Sequence, residues 1–222
     1  MPWGRFCFVV EQGLPHPSTA LGATLISAEG SKGTEADVTL MIEREVKLQF
    51  DSPDQARVAI LAAGATPLRC RRLQEDALLD TDDETLRRRR CVLRIRTEAG
   101  RSLLTFKGPV QPGTMKIRDE YETVVGDGEV LQRVLEELGL HVWFRYEKYR
   151  EEYAAEDVTI ALDETPVGTY VEIEGGEAGI QTMTRALGLT AAHFILDSYR
   201  GLFIQHREKH GFGSTHMVFP EK

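Results

Sequence analysis

The sequence has little cysteine and no long apolar segment. Its three cysteines, Cys7, Cys70 and Cys91, are scattered along 222 residues and form no CxxC pair. An odd number of scattered cysteines in a chain of this length favours a reducing compartment over a disulfide-stabilised secreted domain. No apolar run reaches the roughly 20 residues of a transmembrane helix, and the apolar patch at residues 6–10 lacks the features of a signal peptide. We therefore expect a cytoplasmic protein with no membrane partner.

Excess positive charge is also absent. The chain has 27 Lys and Arg against 35 Asp and Glu, which gives a formal net charge of −8 at pH 7. A general nucleic-acid-binding protein usually carries a basic surface, so we expect no nucleic-acid partner. The sequence contains neither a GxxxxGK[ST] phosphate loop nor a GxSxG nucleophile motif. Hydrophobic residues make up 41% of the chain, which is enough for one domain with a core, either as a monomer or as a homodimer.

The chain divides into a tail, a patterned domain and a second tail. Residues 1–40 mix Gly, Pro, Ser, Thr and Ala without a sustained period of 2 or 3.6, which predicts a poorly ordered N-terminal tail. From residue 41 to residue 210, strand and helix patterns alternate with clear turn signals, and this range is predicted to form the folded domain. Residues 211–222 are predicted to be a C-terminal tail.

The patterned range contains about eight strands, mostly joined by short turns, with helices set apart from them. This arrangement predicts an α+β architecture with a largely antiparallel sheet. Helices are predicted at residues 53–64, 128–139, 177–187 and 191–209, with a short polar segment at 86–90. Strand segments are predicted at residues 41–50, 67–74, 76–81, 91–98, 101–107, 115–125, 142–154, 157–163 and 169–175.

Charged residues occupy alternate positions on one predicted strand after another. Glu43, Glu45 and Lys47 share one face of the first strand, because successive side chains of a strand point to opposite sides. One such strand would also fit a solvent-facing sheet, but same-sign neighbours repel unless an opposite charge lies between them. The later alternating residues are Arg94 and Arg96, Lys107, Arg118 with Glu120 and Glu122, Lys148 and Arg150, and Glu172 and Glu174.

A sheet that closes with these faces inward would enclose a polar tunnel with space for one small ligand. Clusters of Arg and Lys bind polyanions, and clusters of carboxylates bind hard metal ions. The cationic set is Lys47, Arg94, Arg96, Lys107, Arg118, Lys148 and Arg150, and the anionic set is Glu43, Glu45, Glu120, Glu122, Glu172 and Glu174.

These motifs resemble those of the CYTH domain, or triphosphate tunnel metalloenzyme, superfamily. That superfamily includes class IV adenylate cyclases, thiamine triphosphatases and inorganic triphosphatases. The signature Glu43-x-Glu45-x-Lys47 is loose by itself, but the further motifs follow in the family's order and the match extends over residues 41–205. These further motifs are Leu93-Arg94-Ile95-Arg96, Thr105-Phe106-Lys107-Gly108-Pro109, Arg118-x-Glu120-x-Glu122, Lys148-x-Arg150 and Glu172-x-Glu174.

The resemblance implies a closed antiparallel barrel of about eight strands with flanking helices, which binds a triphosphate-containing small molecule and requires Mg²⁺ or Mn²⁺. It implies a metal-dependent triphosphatase; a class IV adenylate cyclase that converts ATP to cyclic AMP and pyrophosphate, and a non-catalytic polyphosphate or nucleotide sensor, remain alternatives. By the same resemblance the six glutamates of the anionic set would bind metal, and the seven residues of the cationic set would bind phosphates. Lys47, Glu43 and Glu45 would form the catalytic centre.

The sequence departs from the family pattern before the Leu93–Arg96 strand. Many short bacterial members have Tyr-Phe-Asp-Thr there, and that tyrosine can pair with the signature lysine. Here the segment is Leu78-Leu79-Asp80-Thr81, so we expect a water activated by metal or by a carboxylate rather than a Lys–Tyr pair. Tyr199 is predicted to pack on the barrel, and the basic run Arg87–Arg90 is predicted to cover a surface turn.

Overall fold

Eight antiparallel strands form one closed barrel. The computed structural model describes residues 41–211 and 213–220; the predicted N-terminal tail, residues 1–40, lies outside the described residues. The neighbouring strands follow the order β1-β5-β4-β3-β2-β6-β7-β8 and then return to β1. This confirms the predicted fold class. The strands are β1 (Met41–Phe50), β2 (Thr66–Asp80), β3 (Val92–Glu98), β4 (Arg101–Lys107), β5 (Lys116–Val125), β6 (His141–Ala155), β7 (Val158–Thr165) and β8 (Gly168–Gly175).

Five α-helices and one short 3₁₀ helix flank the barrel in the described residues. Side-chain caps fix several of their starts: the Ser52 hydroxyl accepts from the backbone N–H of Gln55, and the Asp127 carboxylate accepts from that of Val130. None of the helices in these ranges is long and apolar enough to cross a membrane. The helices are α1 (Pro53–Ala62), α2 (Thr85–Arg88), α3 (Gly128–Glu137), α4 (Glu177–Ala186), the 3₁₀ helix Ala191–His193 and α5 (Tyr199–His210).

The largest differences between the predicted and the observed elements concern β2 and the last helix. The strands predicted at 67–74 and 76–81 are one continuous strand, β2, because Glu75 pairs with Thr97 on one side and with Glu147 on the other. The helix predicted at 191–209 begins only at Tyr199. The backbone N–H of Ile195 donates to the Lys47 carbonyl over 2.8 Å, which holds the preceding segment extended against β1.

The hydrophobic core lies outside the barrel. Val46 and Leu48 point outward from β1 and are fully buried beneath α1 and α4, which contribute Ile60 and Ile180. Each such side chain stabilises the fold by about 1.5–3 kcal/mol when it is removed from water. The alternation of β1 therefore separates two environments: apolar residues hold the helices on the outer wall, and charged residues face the lumen.

A second apolar cluster packs helix α5 against one end of the barrel. Phe203 packs against the Phe144 ring of β6, and Tyr199 packs against the Tyr146 ring, with centroids 5.7 and 6.0 Å apart. The residues predicted as a C-terminal tail include Met217, which is fully buried and whose backbone N–H donates to the Arg145 carbonyl over 3.0 Å. This contact places the segment 213–220 along β6.

Candidate functional site

A cavity of about 510 Å³ lies inside the barrel and receives the inward-facing charged side chains. The structure brings together every residue that the sequence predicts for the site, because all of them occupy inward positions on their strands. Glu43, Glu45, Lys47, Arg94, Arg96, Lys107, Arg118, Glu120, Glu122, Lys148, Arg150, Glu172 and Glu174 all line this cavity.

Lys47 is held by a carboxylate on the adjacent strand. It lies opposite Glu172 in the β1–β8 ladder, and its Nζ is 2.9 Å from the Glu172 Oε1. Burial alone would lower the pKa of Lys47, but the carboxylates of Glu172, Glu45 and Asp163 outweigh it and raise that pKa above the ordinary value. Lys47 is therefore a fixed positive charge in the lumen.

Glu43 is the corresponding fixed negative charge. Its carboxylate accepts from Lys107 Nζ over 2.6 Å and from Arg118 Nε over 2.7 Å. Burial opposes ionisation, but these two cations outweigh burial and hold the pKa of Glu43 far below its ordinary value. The next carboxylate on the strand, Glu45, pairs with Lys116 over 2.5 Å.

Lys116 is a lumen residue that sequence reasoning missed. Its position two residues before Arg118 on β5 places both side chains on the inward face, and this alternation was the signal that could have identified it. Burial lowers the pKa of Lys116 despite its contact with Glu45. On the strands, the cationic set therefore has one more member than predicted.

Two buried aspartates, also missed, hold the phosphate-binding candidates in place. Asp76 accepts from Arg96 Nε over 2.8 Å and lies 3.4 Å from Arg94 Nε. Asp163 accepts from Lys148 Nζ over 2.8 Å and from Arg150 Nε over 2.7 Å. In both cases the signal is an aspartate that adjoins a run of three apolar residues and requires a cation once it is buried.

Two groups in the lumen titrate near neutral pH. Burial and the nearby Arg150 charge lower the pKa of Lys148 to about 8, although Asp163 opposes this change. Glu174 remains accessible to solvent, but its enclosure by the barrel, followed by the carboxylates of Glu43 and Glu45, raises its pKa to about 8. Glu174 lies opposite Glu45 in the β1–β8 ladder and has no ion pair with any of the described residues.

The charges separate the lumen into two halves. The cationic half comprises β2, β3, β6 and β7, where four cations face the two carboxylates Asp76 and Asp163. The acidic half comprises β1, β4, β5 and β8, where six glutamates face four cations. The four cations of the cationic half are Arg94, Arg96, Lys148 and Arg150, and those of the acidic half are Lys47, Lys107, Lys116 and Arg118.

The acidic half has the donor chemistry that a hard divalent cation requires. No three His, Cys, Asp or Glu side chains in residues 41–211 and 213–220 already form a metal-ion cluster. However, Glu174 is an unpaired carboxylate, and the carboxylates of Glu43 and Glu45 make its ionisation unfavourable. A divalent cation would remove that repulsion as a proton does, and oxygen-only ligands suit Mg²⁺ or Mn²⁺. The residues present therefore fit such an ion.

Tyr199 of helix α5 places a phenol beside the signature lysine. Many family members carry their tyrosine on the strand before Leu93–Arg96, a position that lacks a tyrosine here. The ring centre of Tyr199 lies 4.6 Å from Lys47 Nζ and 4.7 Å from Lys148 Nζ, and its hydroxyl donates to Asp163 over 2.5 Å. Burial and the negative charges of Asp163 and Glu172 raise the pKa of Tyr199 well above its ordinary value. The phenol thus stays protonated and acts as a hydrogen-bond donor at the signature lysine.

The basic run at residues 87–90 is only partly a surface feature, so the prediction for it was wrong in part. Arg87 and Arg90 line the same cavity as the lumen residues, together with Trp143 and Arg200. Arg88 and Arg89 are exposed and do not line it. A run of four arginines could not reveal which members turn inward, because α2 decides this.

Comparison with known proteins agrees with this geometry. The CYTH domain family model matches residues 41–197. A protein of Methanocaldococcus jannaschii provisionally named an adenylate cyclase is 28% identical over 148 residues, which cover 66% of this chain and 84% of the relative.

Solved structures share the fold. The PH1819 protein of Pyrococcus horikoshii has a TM-score of 0.64 and 27% identity, and the match covers 74% of this chain and 99% of that protein. A protein of Hippeastrum, provisionally named an adenylyl cyclase and described as having a dominant triphosphatase activity, has a TM-score of 0.55 and 20% identity over 75% of this chain and 96% of its own. With a family model that covers most of the described residues and a barrel of the same fold, the chain belongs to the CYTH domain family.

Proposed function

We propose that this protein hydrolyses a triphosphate substrate with the help of a bound Mg²⁺ or Mn²⁺ ion. The observation that carries the proposal is that one cavity brings together fixed cations and a group of six glutamates, of which Glu174 has no ion pair within the described residues. A triphosphate brings about four negative charges, which the cations of the cavity can bind. The glutamates would repel the same anion, and a divalent cation bound to them would remove that repulsion.

In this proposal the cationic half binds the phosphate oxygens. Arg94 and Arg96 are fixed by Asp76, and Lys148 and Arg150 are fixed by Asp163, so their positions are set before the substrate enters. Fixed donors stabilise developing charge without having to reorganise during the reaction. Phosphoryl transfer depends mainly on such positioning and charge stabilisation.

The acidic half would hold the metal. Glu43, Glu45 and Glu174 are its central candidates, and Glu120, Glu122 and Glu172 lie on the same side of the cavity. When bound, the metal ion would neutralise phosphate charge and lower the pKa of a coordinated water. Lys47 and Glu43 keep fixed charges, and so they would position the reacting groups rather than exchange protons.

Hydrolysis needs a group that accepts a proton. The oxygen of water forms a bond to phosphorus, the phosphoanhydride P–O bond breaks, and the proton lost by water passes to a base. In this proposal the base is a carboxylate of the acidic half that does not itself coordinate the metal, because a carboxylate bound to the ion has lost most of its affinity for a proton.

Adenylate cyclase activity is the second candidate, and the provisional name of the Methanocaldococcus jannaschii relative favours it. It would use the same cationic half, but the 3′-hydroxyl of ATP would attack the α-phosphorus and pyrophosphate would leave. The triphosphatase activity described for the Hippeastrum protein supports the first candidate, since it shows that this fold can carry that reaction. A non-catalytic sensor would need the cationic half but not the unpaired carboxylate of Glu174.

Turnover assays separate the three functions. Purified protein with Mg²⁺ or Mn²⁺ would be supplied separately with inorganic triphosphate, ATP and thiamine triphosphate, and phosphate and cyclic AMP would be measured. We expect phosphate release that stops when EDTA removes the metal. Formation of cyclic AMP from ATP would replace the first candidate by the second, and binding without any turnover would favour the sensor.

A further inference from the structure

Three arginines and a tryptophan lie where the lumen meets α2, the start of β6 and the start of α5. Arg87 and Arg90 come from α2 and the residues that follow it, Trp143 from β6 and Arg200 from α5. We call these four residues the mouth cluster. Arg90 is exposed and the other three are partly exposed, so the cluster connects the lumen with solvent.

The mouth cluster carries positive charge that the described carboxylates do not neutralise. Arg87 pairs with Asp80 over 3.0 Å and lies 3.4 Å from Glu84. Neither Arg90 nor Arg200 forms an ion pair within residues 41–211 and 213–220. This differs from the lumen, where Asp76 and Asp163 each bind two cations.

Two arginines of the mouth cluster, Arg87 and Arg200, lie close together, because both contact the Trp143 ring. Partial burial, and then the charges of Arg87 and Arg207, lower the pKa of Arg200, although Glu84 opposes this change. Like charges held close together repel unless an anion lies between them. The crowding therefore indicates an anionic ligand at this point.

Trp143 orients two of these arginines and is itself covered by them. The guanidinium carbons of Arg87 and Arg200 lie 4.3 and 4.7 Å from the indole ring centre. Stacking on a ring fixes the plane of a guanidinium while its N–H groups remain able to donate at the edge. An indole that already contacts two guanidinium groups has little free surface for a nucleobase, so the geometry favours a phosphate group over an aromatic base.

We propose that the mouth cluster binds a further phosphate group of a chain whose first three phosphates occupy the lumen. The preferred substrate is then a linear inorganic phosphate chain longer than triphosphate, rather than a nucleoside triphosphate with its base at this end. The inference rests on the proposed function in one respect, namely that the lumen holds a triphosphate. It goes beyond that function by assigning Arg90 and Arg200 to the selection of chain length.

The test compares phosphate chains of different length in matched arginine variants. Inorganic triphosphate, inorganic tetraphosphate and ATP would be assayed for kcat/KM with Mg²⁺, and for Kd in EDTA by calorimetry. The variants are Arg90→Gln, Arg200→Gln and, as the control from the same basic run, Arg89→Gln, which does not line the cavity. Thermal unfolding would check that each variant folds. If Arg200→Gln does not fold, the Arg90→Gln variant still tests the proposal, because Arg90 is exposed.

We expect the unsubstituted protein to prefer tetraphosphate to triphosphate. Loss of a charge-assisted contact to phosphate should raise the Kd for tetraphosphate about tenfold more than that for triphosphate in each mouth variant. The control should retain the preference. Equal losses for both chain lengths would mean that the arginines attract anions generally, and a loss confined to ATP would indicate a base-binding site; either result overturns the inference.

The two proposals fail in different ways. Length-dependent binding in EDTA without turnover of any phosphate would contradict the hydrolase and leave the mouth inference standing. Turnover of triphosphate with no preference for tetraphosphate would contradict the mouth inference and leave the hydrolase standing. An Arg89→Gln variant that loses the preference as fully as Arg90→Gln would also overturn the assignment of the mouth residues.

Discussion

The two halves of the lumen solve the same electrostatic problem in different ways. In the cationic half, Asp76 and Asp163 are completely buried, and each is shared by two cations, so that the positive groups are fixed while their number exceeds that of the carboxylates. In the acidic half the glutamates are in excess, and Glu174 has no cationic partner among the described residues. In the cationic half both aspartates have cationic partners, whereas the acidic half keeps Glu174 unpaired, and we propose that a cation from solution binds there.

The largest expected effect comes from removing the best-fixed carboxylate of the acidic half. Glu43→Gln should reduce triphosphate turnover about a thousandfold, because it removes a candidate metal ligand, deprives Arg118 of its carboxylate and leaves Lys107 with Glu120 alone. Steady-state phosphate release would measure it. Glu75→Gln, which alters an exposed carboxylate on the outer face of β2, is the matched control and should keep full activity. A Glu43→Gln variant with full activity would exclude Glu43 from the site.

The next effect concerns the stability of the cationic half. Asp163→Asn should lower the free energy of unfolding by about 3–5 kcal/mol, because Lys148 and Arg150 would remain buried without a full counter-charge. Thermal unfolding should show a fall in Tm of about 10 °C. Asp119→Asn, at an exposed position of β5, is the control.

Added triphosphate sharpens this second prediction. In EDTA it should raise the Tm of Asp163→Asn more than that of the unsubstituted protein, since a polyanion would replace the missing charge. An unchanged Tm without ligand would show that the buried aspartate is not needed to hold the two cations.

The third prediction concerns pH dependence in the acidic half. Because the folded-state pKa of Glu174 is raised to about 8 from an ordinary value of 4.5, the folded protein binds this proton in a pH range where the unfolded chain has lost it. The contribution of Glu174 to stability is thus fully present below pH 4.5 and is lost as the pH rises through 8.

Unfolding in EDTA, followed between pH 5 and pH 9, would measure this contribution. We expect the unsubstituted protein to lose stability relative to Glu174→Gln as the pH rises, and Mg²⁺ to restore it. Parallel stability curves for the two proteins would contradict the raised pKa.

The smallest effect tests how α5 connects the two halves. Tyr199→Phe removes the hydrogen bond to Asp163 but keeps the ring beside Lys47 and Lys148, so we expect a loss of about 1–2 kcal/mol of stability. Urea unfolding would measure it, with Tyr121→Phe on the outer face of β5 as the control. An unchanged free energy of unfolding would mean that Asp163 needs no hydrogen bond beyond those from Lys148 and Arg150.

The sequence by itself determined which residues face the lumen. A strand has a period of two, so once Glu43, Glu45 and Lys47 are assigned to one face, Val46 and Leu48 must form the outer, helix-covered face. The same argument places the alternating residues of the later strands, which is why all the predicted site residues line one cavity. It also yields the antiparallel, strand-rich architecture.

Only the tertiary structure decided which charges become partners and which group remains without one. The cations that pair with Asp76 and Asp163 lie on neighbouring strands, and the register of those strands decides which side chains meet. Tyr199, Arg87 and Arg200 come from helices that meet the lumen only after α2 and α5 pack against it. Alternation along a strand is a local property of the chain, whereas ion pairing and pKa depend on distances between segments remote in sequence.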